Sequence, residues 1–97
     1  MPHYITLFRF TQKGAESIKQ GPSRVDAGKK AIEAAGGKLK AFYLTMGQYD
    51  AIGIVELPND DVMAKVALSI ASLGNVRGET LRAFTEEEYR KLIASLP

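Results

Sequence analysis

The sequence predicts an α+β domain built on a four-stranded antiparallel sheet. Four segments, 3–10, 38–46, 51–57 and 76–84, are rich in apolar, aromatic or β-branched residues and, where they alternate, do so with the two-residue period of a strand. Between the first and second, and between the third and fourth, apolar residues recur at helical spacing. The 97 residues, 45% hydrophobic and 25% charged, suffice for one compact core and leave no room for a second.

In the first strand, His3 to Phe10, Ile5 and Leu7 lie on one face and Tyr4, Thr6, Phe8 and Phe10 on the other. Thr11 then offers its hydroxyl as an N-cap for a helix from Gln12 to about Lys19. Gly21-Pro22-Ser23 interrupts it, and proline suits the first turn of a second helix running to Ala35. Val25, Ile32 and the alanines at 27, 31, 34 and 35 form the expected buried stripe. Gly28 within that helix suggests close packing, with a ligand cavity as the less favoured reading. Gly36-Gly37 closes the helix.

The second strand sets Leu39, Ala41 and Tyr43 against Lys40, Phe42, Leu44 and Met46, and a tight Gly47-Gln48-Tyr49-Asp50 connection joins it to Ala51–Leu57 as a hairpin. After Pro58, Asn59 caps a helix whose first turn carries Asp60 and Asp61, favourable to the helix dipole. Val62, Met63, Val66, Ala67, Ile70 and Leu73 give it a buried side, and Gly74-Asn75 ends it. A fourth strand follows. Thr85-Glu86-Glu87-Glu88 reads as a capping box for a short last helix to about Leu96.

The order β-α-β-β-α-β-α is that of the split βαβ, or ferredoxin-like, plan. Right-handed crossovers then put both main helices on one face, with strands 1 and 3 central. The first and third strands are apolar on both sides, so the second face must also be covered. A second copy packing sheet to sheet is the economical cover, which predicts a homodimer or a higher even oligomer, with Phe8, Phe10 and Ile52 or Ile54 between the sheets.

At the hairpin the chain resembles the GYD domain family, named for a Gly-x-Tyr-Asp element matched by Gly47, Tyr49 and Asp50. The likeness extends through Tyr4-Ile5-Thr6-Leu7, Phe10 to Gly14, Pro22-Ser23-Arg24, Gly36-Gly37-Lys38 and Phe42-Tyr43. It continues in Pro58-Asn59-Asp60, Leu73 to Arg77 and Thr80 to Phe84. Each element is weak alone; their joint order is specific. The resemblance implies a ferredoxin-like fold and no particular activity. More distantly the chain is similar to the dimeric α/β-barrel proteins, which include cofactor-free monooxygenases and small-molecule sensors.

Composition excludes several classes. With no cysteine and one histidine, thiolate catalysis, disulfides and a metal centre are not expected. No phosphate-binding glycine loop is present, so no nucleotide cofactor is expected. A net charge of +2 is too mild, and the strand Ala51-Ile52-Gly53-Ile54-Val55 too aliphatic, for nucleic-acid binding. The N-terminus lacks a signal-like leader and no stretch suits a membrane span, which points to the cytoplasm.

The candidate ligand-binding residues are Tyr49, Asp50, Arg24, His3 and Tyr43. Tyr49 is either a phenol facing a ligand or a ring wedged under the hairpin, and Asp50 either a base or an acceptor for turn N–H groups. For both the structural reading leads. Arg24 at a helix start could meet an anion, with surface ion pairing preferred. His3 is the one histidine and stands at an exposed strand start. Tyr43 faces either a pocket or an interface. Arg77 and Arg82 read as edge-strand charges. A small-molecule binding domain with its pocket between sheet and helices leads narrowly. Behind it stand an oligomerisation module without a ligand and a cofactor-free oxygenase or isomerase.

Overall fold

In the computed structural model, which describes residues 1–97, the chain runs β1 (His3–Phe10), α1 (Gln12–Glu16), a 3₁₀ turn (Ile18–Gln20) and α2 (Gly21–Ala34). It continues with β2 (Lys38–Leu44), β3 (Ala51–Glu56), α3 (Asp60–Ser72), β4 (Val76–Ala83) and α4 (Glu86–Ala94). The strands form one antiparallel sheet in the order β2-β3-β1-β4, with β1 and β3 central as the sequence predicts.

The helix starts are where the side chains require them. The Thr11 hydroxyl accepts from the Gly14 N–H at 3.1 Å and Asn59 Oδ1 accepts from the Val62 N–H at 3.0 Å. Thr85 and Glu88 exchange the two bonds of a capping box, at 3.1 and 2.9 Å. Gly36 and Gly74, at φ +87° and +77°, end α2 and α3.

The first helical region is shorter than its periodicity suggests. α1 stops at Glu16, where Ser17 leaves helical geometry and its hydroxyl bonds back to the Lys13 carbonyl at 3.0 Å. Within it, Gly14 is buried against the α3–β4 turn: a Cβ there would lie 2.0 Å from the Asn75 carbonyl oxygen. The Thr11 N–H donates to that same oxygen at 3.1 Å. α2 buries only Ile32 of its expected stripe; Val25 and Ala35 are half-buried, and Ala27, Ala31 and Ala34 face solvent. Gly28 is not closely packed, since nothing outside its own helix lies within 4 Å of its Cβ position.

The core joins Tyr4 and Val55 of the sheet to Ile32, Met63 and Val66 of the helices and to Leu57, which is fully buried. Tyr4 therefore marks the helix-covered face, and Thr6, Phe8 and Phe10 follow it by alternation. This corrects one expectation: Phe8 and Phe10 lie on the helix side, with Phe8 filling the space over Gly53 and Gly78. The opposite face carries Ile5, Leu7, Ile52, Ile54 and Leu81. A bulge between Leu39 and Ala41 also changes β2, because it lets Leu39 share the helix side with Phe42 and Leu44 while Ala41 and Tyr43 turn to the open side.

Tyr4 ties the layers together. Its ring is 3% exposed and its hydroxyl donates to Asp60 Oδ1 in the first turn of α3 at 2.5 Å. Burial, then the Asp60 carboxylate, pushes the phenol up to about 12. The proton is held more tightly in the folded chain than in the unfolded one, so this contribution is complete below the ordinary tyrosine value of about 10. It should be lost as pH rises from there towards 12, in urea titrations of the native chain but not of Tyr4→Phe.

Two glycines give opposite expectations. Gly14→Ala must displace backbone and should lower stability by about 1–3 kcal/mol. Gly28→Ala meets open space and should raise it by up to about 1 kcal/mol. Chemical denaturation of the two variants checks both signs.

Candidate functional site

The Gly47–Asp50 connection is braced by β1 on one side and by Thr45, just past β2, on the other. Gly47 has φ +123° with open space around its Cβ position, so backbone conformation rather than room demands glycine. The next three residues then fold back on β1. Asp50 closes the corner: its N–H donates to the Phe8 carbonyl at 2.8 Å, its carbonyl accepts from the Thr45 N–H at 2.9 Å, and its Oδ2 accepts from the Phe10 N–H at 2.9 Å. The Thr45 hydroxyl donates to the Tyr49 carbonyl at 2.7 Å. Asp50 is thus tied to the backbone of β1 and of Thr45.

Tyr49 is half-buried over the end of the open face, not wedged beneath the hairpin. The Arg9 guanidinium sits 4.8 Å from its ring centroid, and Arg9 Nε donates to the Gln48 carbonyl at 2.9 Å. Its hydroxyl donates to Glu79 Oε2 on β4 at 2.7 Å. That bond is the main cause raising the phenol above its ordinary value. Arg9, Tyr49 and Glu79 form one polar cluster across β1, the turn and β4. The sequence reading passes over Arg9 and Glu79; the available signal is a charged residue on a strand face whose other members are aliphatic.

The remaining candidates lie apart from it. His3 begins β1, seven residues and about 23 Å of strand from Phe10. Its Nε2 meets Glu56 Oε1 at 2.9 Å, and Lys40 Nζ approaches the same oxygen at 4.0 Å. Its Nδ1 is buried without a partner. Arg24 makes no ion pair; it donates to the carbonyls of Gly14 at 3.3 Å and Ser17 at 2.9 Å and to the Ser17 hydroxyl, clamping the α1–α2 bend. Tyr43 is 60% exposed on the open side of β2. Arg82 is more than an edge charge, since its guanidinium covers the Phe84 ring at 4.3 Å and the Tyr4 ring at 5.7 Å.

The candidates therefore frame the open face at its two ends, with Arg24 behind the sheet. No group of three or more histidine, cysteine or acidic side chains converges as metal ligands would. Between sheet and helices the core residues fill the space nearest Tyr4. Two open depressions lie elsewhere: one of about 570 Å³ between Pro2, Asn59, Asp60, Asp61 and Arg82, and one of about 550 Å³ along α4. No helix is long and apolar enough to cross a membrane.

A family model described as the GYD domain matches residues 4–93, from the second residue of β1 to α4. The chain belongs to the GYD domain family. Among proteins of this kind, it is 33% identical over 84 residues to the glutamine synthetase and cystathionine beta-lyase binding protein of Thermus thermophilus, an alignment covering 86% of this chain and 88% of the relative. The solved structure of TTHA0845, also from Thermus thermophilus, superposes with a TM-score of 0.56 at 29% identity, over 88% of this chain and 95% of that one. The GYD turn named in the family is the corner that Asp50 closes and Tyr49 caps.

The turn residues separate by substitution. Gly47→Val should destabilise by about 1 kcal/mol or more through its positive φ. Asp50→Ala leaves the Phe10 N–H without its acceptor and should cost about 1–2 kcal/mol. Tyr49→Phe should change stability little, because the bond it removes joins exposed groups. Thermal unfolding of the three variants gives the ranking.

Proposed function

We propose that this chain is an interaction module of the ferredoxin-like, dimeric α/β-barrel type, which pairs with a second copy through its open sheet face and, so paired, binds protein partners. One observation carries the reading: a sheet face with Ile5, Leu7, Ile52, Ile54, Leu81 and Tyr43 on it has no covering element in its own chain. The surface area agrees. The chain exposes 6822 Å², whereas a self-contained monomer of its mass exposes about 5,500 Å². The excess, roughly 1,300 Å², exceeds the ~800 Å² that each partner contributes to a standard interface.

Protein partners are suggested by the relative whose name says it binds two enzymes. In this reading Arg9–Tyr49–Glu79 and His3–Glu56 form the polar rim of an apolar interface centre. Tyr43 belongs to that centre, and Asp50 and Arg24 hold the scaffold in shape. The alternative, a small molecule held by Tyr49, Asp50, Arg24, His3 and Tyr43 together, has less support because these residues are spread over both faces and both ends of the sheet. A reducing, cytoplasmic setting fits a chain without cysteine.

Leu81→Asp places a charge on the open face at its β4 edge, where the half-exposed side chain leaves the folded chain room for it. It should turn a species of twice 10.6 kDa into one of 10.6 kDa in sedimentation at micromolar concentration. An unchanged sedimentation coefficient of the dimer would remove the open face from the interface.

A further inference from the structure

The strand register lays the open face out in rows. Ala41, Ile54, Ile5 and Leu81 lie side by side across β2, β3, β1 and β4. Tyr43, Ile52, Leu7 and Glu79 form the next row. The apolar middle of the face therefore holds two polar groups, at opposite edges of one row: the Glu79 carboxylate on β4 and the Tyr43 hydroxyl on β2. Neither is satisfied by its own chain. Glu79 Oε2 accepts from the Tyr49 hydroxyl at 2.7 Å, which leaves Oε1 free. Tyr43 is 60% exposed and its hydroxyl meets no group of the chain. Covering the face takes both out of water, and a carboxylate so covered needs a donor.

Two sheets packed face to face by a two-fold axis have that axis between them, lying in the plane of the sheets. Its direction decides what Glu79 meets, given strands about 4.8 Å apart and same-face residues about 6.8 Å apart along each strand. An axis across the strands sets each strand over its own counterpart with the rows exchanged, and Glu79 then falls on Leu81 of the second copy. An axis along a diagonal crosses the strands near 90°. One diagonal brings Glu79 between Ile54 and Glu56, a like charge. The other brings it towards Arg9 but leaves the Tyr43 hydroxyl over Ile5, without an acceptor. An axis along the strands keeps every residue in its row and sets β4 over β2. Each Glu79 then faces the Tyr43 of the other copy.

We infer that Glu79, oriented by Tyr49, recognises the Tyr43 hydroxyl of a second copy, and that this reciprocal pair sets the two-fold axis along the strands. The inference rests on the open-face pairing proposed above and deepens it, by naming the polar contact and the orientation. Among these arrangements only this one gives both polar groups a partner, and the symmetry repeats the bond. It also stacks β1 on β3 of the other copy, aliphatic row on aliphatic row, with Ile5 over Ile54 and Leu7 over Ile52. Tyr49 acquires a task as a positioning residue: its hydroxyl holds one carboxylate oxygen and leaves the other for the second copy.

Because the chain has no cysteine, a pair introduced by substitution reports one contact. Within a chain, positions 43 and 79 are three strand spacings apart, about 14 Å. A disulfide spans no more than about 7 Å between Cα atoms, so Tyr43→Cys/Glu79→Cys bridges only between chains. Oxidised at micromolar concentration, it should run as a covalent dimer on a non-reducing gel, with the 43–79 linkage identified by mass spectrometry. A yield about ten times that of either single variant supports the axis along the strands, and a yield equal to theirs overturns it. Sedimentation equilibrium adds a readout without crosslinks. Tyr43→Phe and Glu79→Ala should each weaken self-association about ten-fold, and the double variant little more than either. Additive losses overturn the contact. Tyr49→Phe should weaken association about three-fold, and not at all in the Glu79→Ala background. A loss that persists there overturns the positioning role. The unsubstituted chain separates the two claims: a dimer without the 43–79 contact removes only this inference, and a monomer removes the open-face pairing as well.

Discussion

Two helices cannot cover both faces of a four-stranded sheet, and the rest of the molecule is arranged around that shortage. α2 and α3 take the side marked by Tyr4, Val55 and Leu57. The other side retains aliphatic residues on both central strands, where a sheet facing water would carry polar ones. Few residues are buried for a chain of this length, 10 of 97, which is what a half-covered sheet produces. Burial is the main favourable term in folding, so an apolar face left in water forgoes part of it.

The polar contacts make sense against the same constraint. Asp50, Thr45 and Gly47 build a corner that keeps the β2–β3 connection close to β1, and the corner delivers Tyr49 to the rim of the open face. There it meets Arg9 and Glu79, while His3, Glu56 and Lys40 occupy the other end. Charges at the two ends around an aliphatic middle resemble a recognition surface, with a dry centre and a wet rim. On the helix side the polar contacts are tethers instead: Tyr4 to Asp60, and Arg24 to the carbonyls at the α1–α2 bend.

Element order, central strands and helix caps were legible in the sequence because each has a local cause. Thr11, Asn59 and Thr85 are capping residues wherever they precede a helix, and glycine at 36, 47 and 74 signals positive φ. Which face of β1 meets the helices was not legible. Both faces are apolar, so hydrophobicity cannot choose, and the choice depends on partners distant in sequence: Asp60 for Tyr4, and the glycines at 53 and 78 that make room for Phe8. The β2 bulge was hidden for a similar reason, since one extra residue inverts the alternation without altering composition. Arg24 and Tyr49 have partners set by the tertiary fold, a pair of carbonyls and a carboxylate on another strand, and no spacing within either segment announces them.

In the proposed arrangement the folded chain completes itself only by association. Its most direct test is the midpoint of thermal unfolding followed over a hundredfold range of protein concentration. If the open face is buried between copies, unfolding is coupled to dissociation and the midpoint rises with concentration. A midpoint that stays constant across that range would contradict the account.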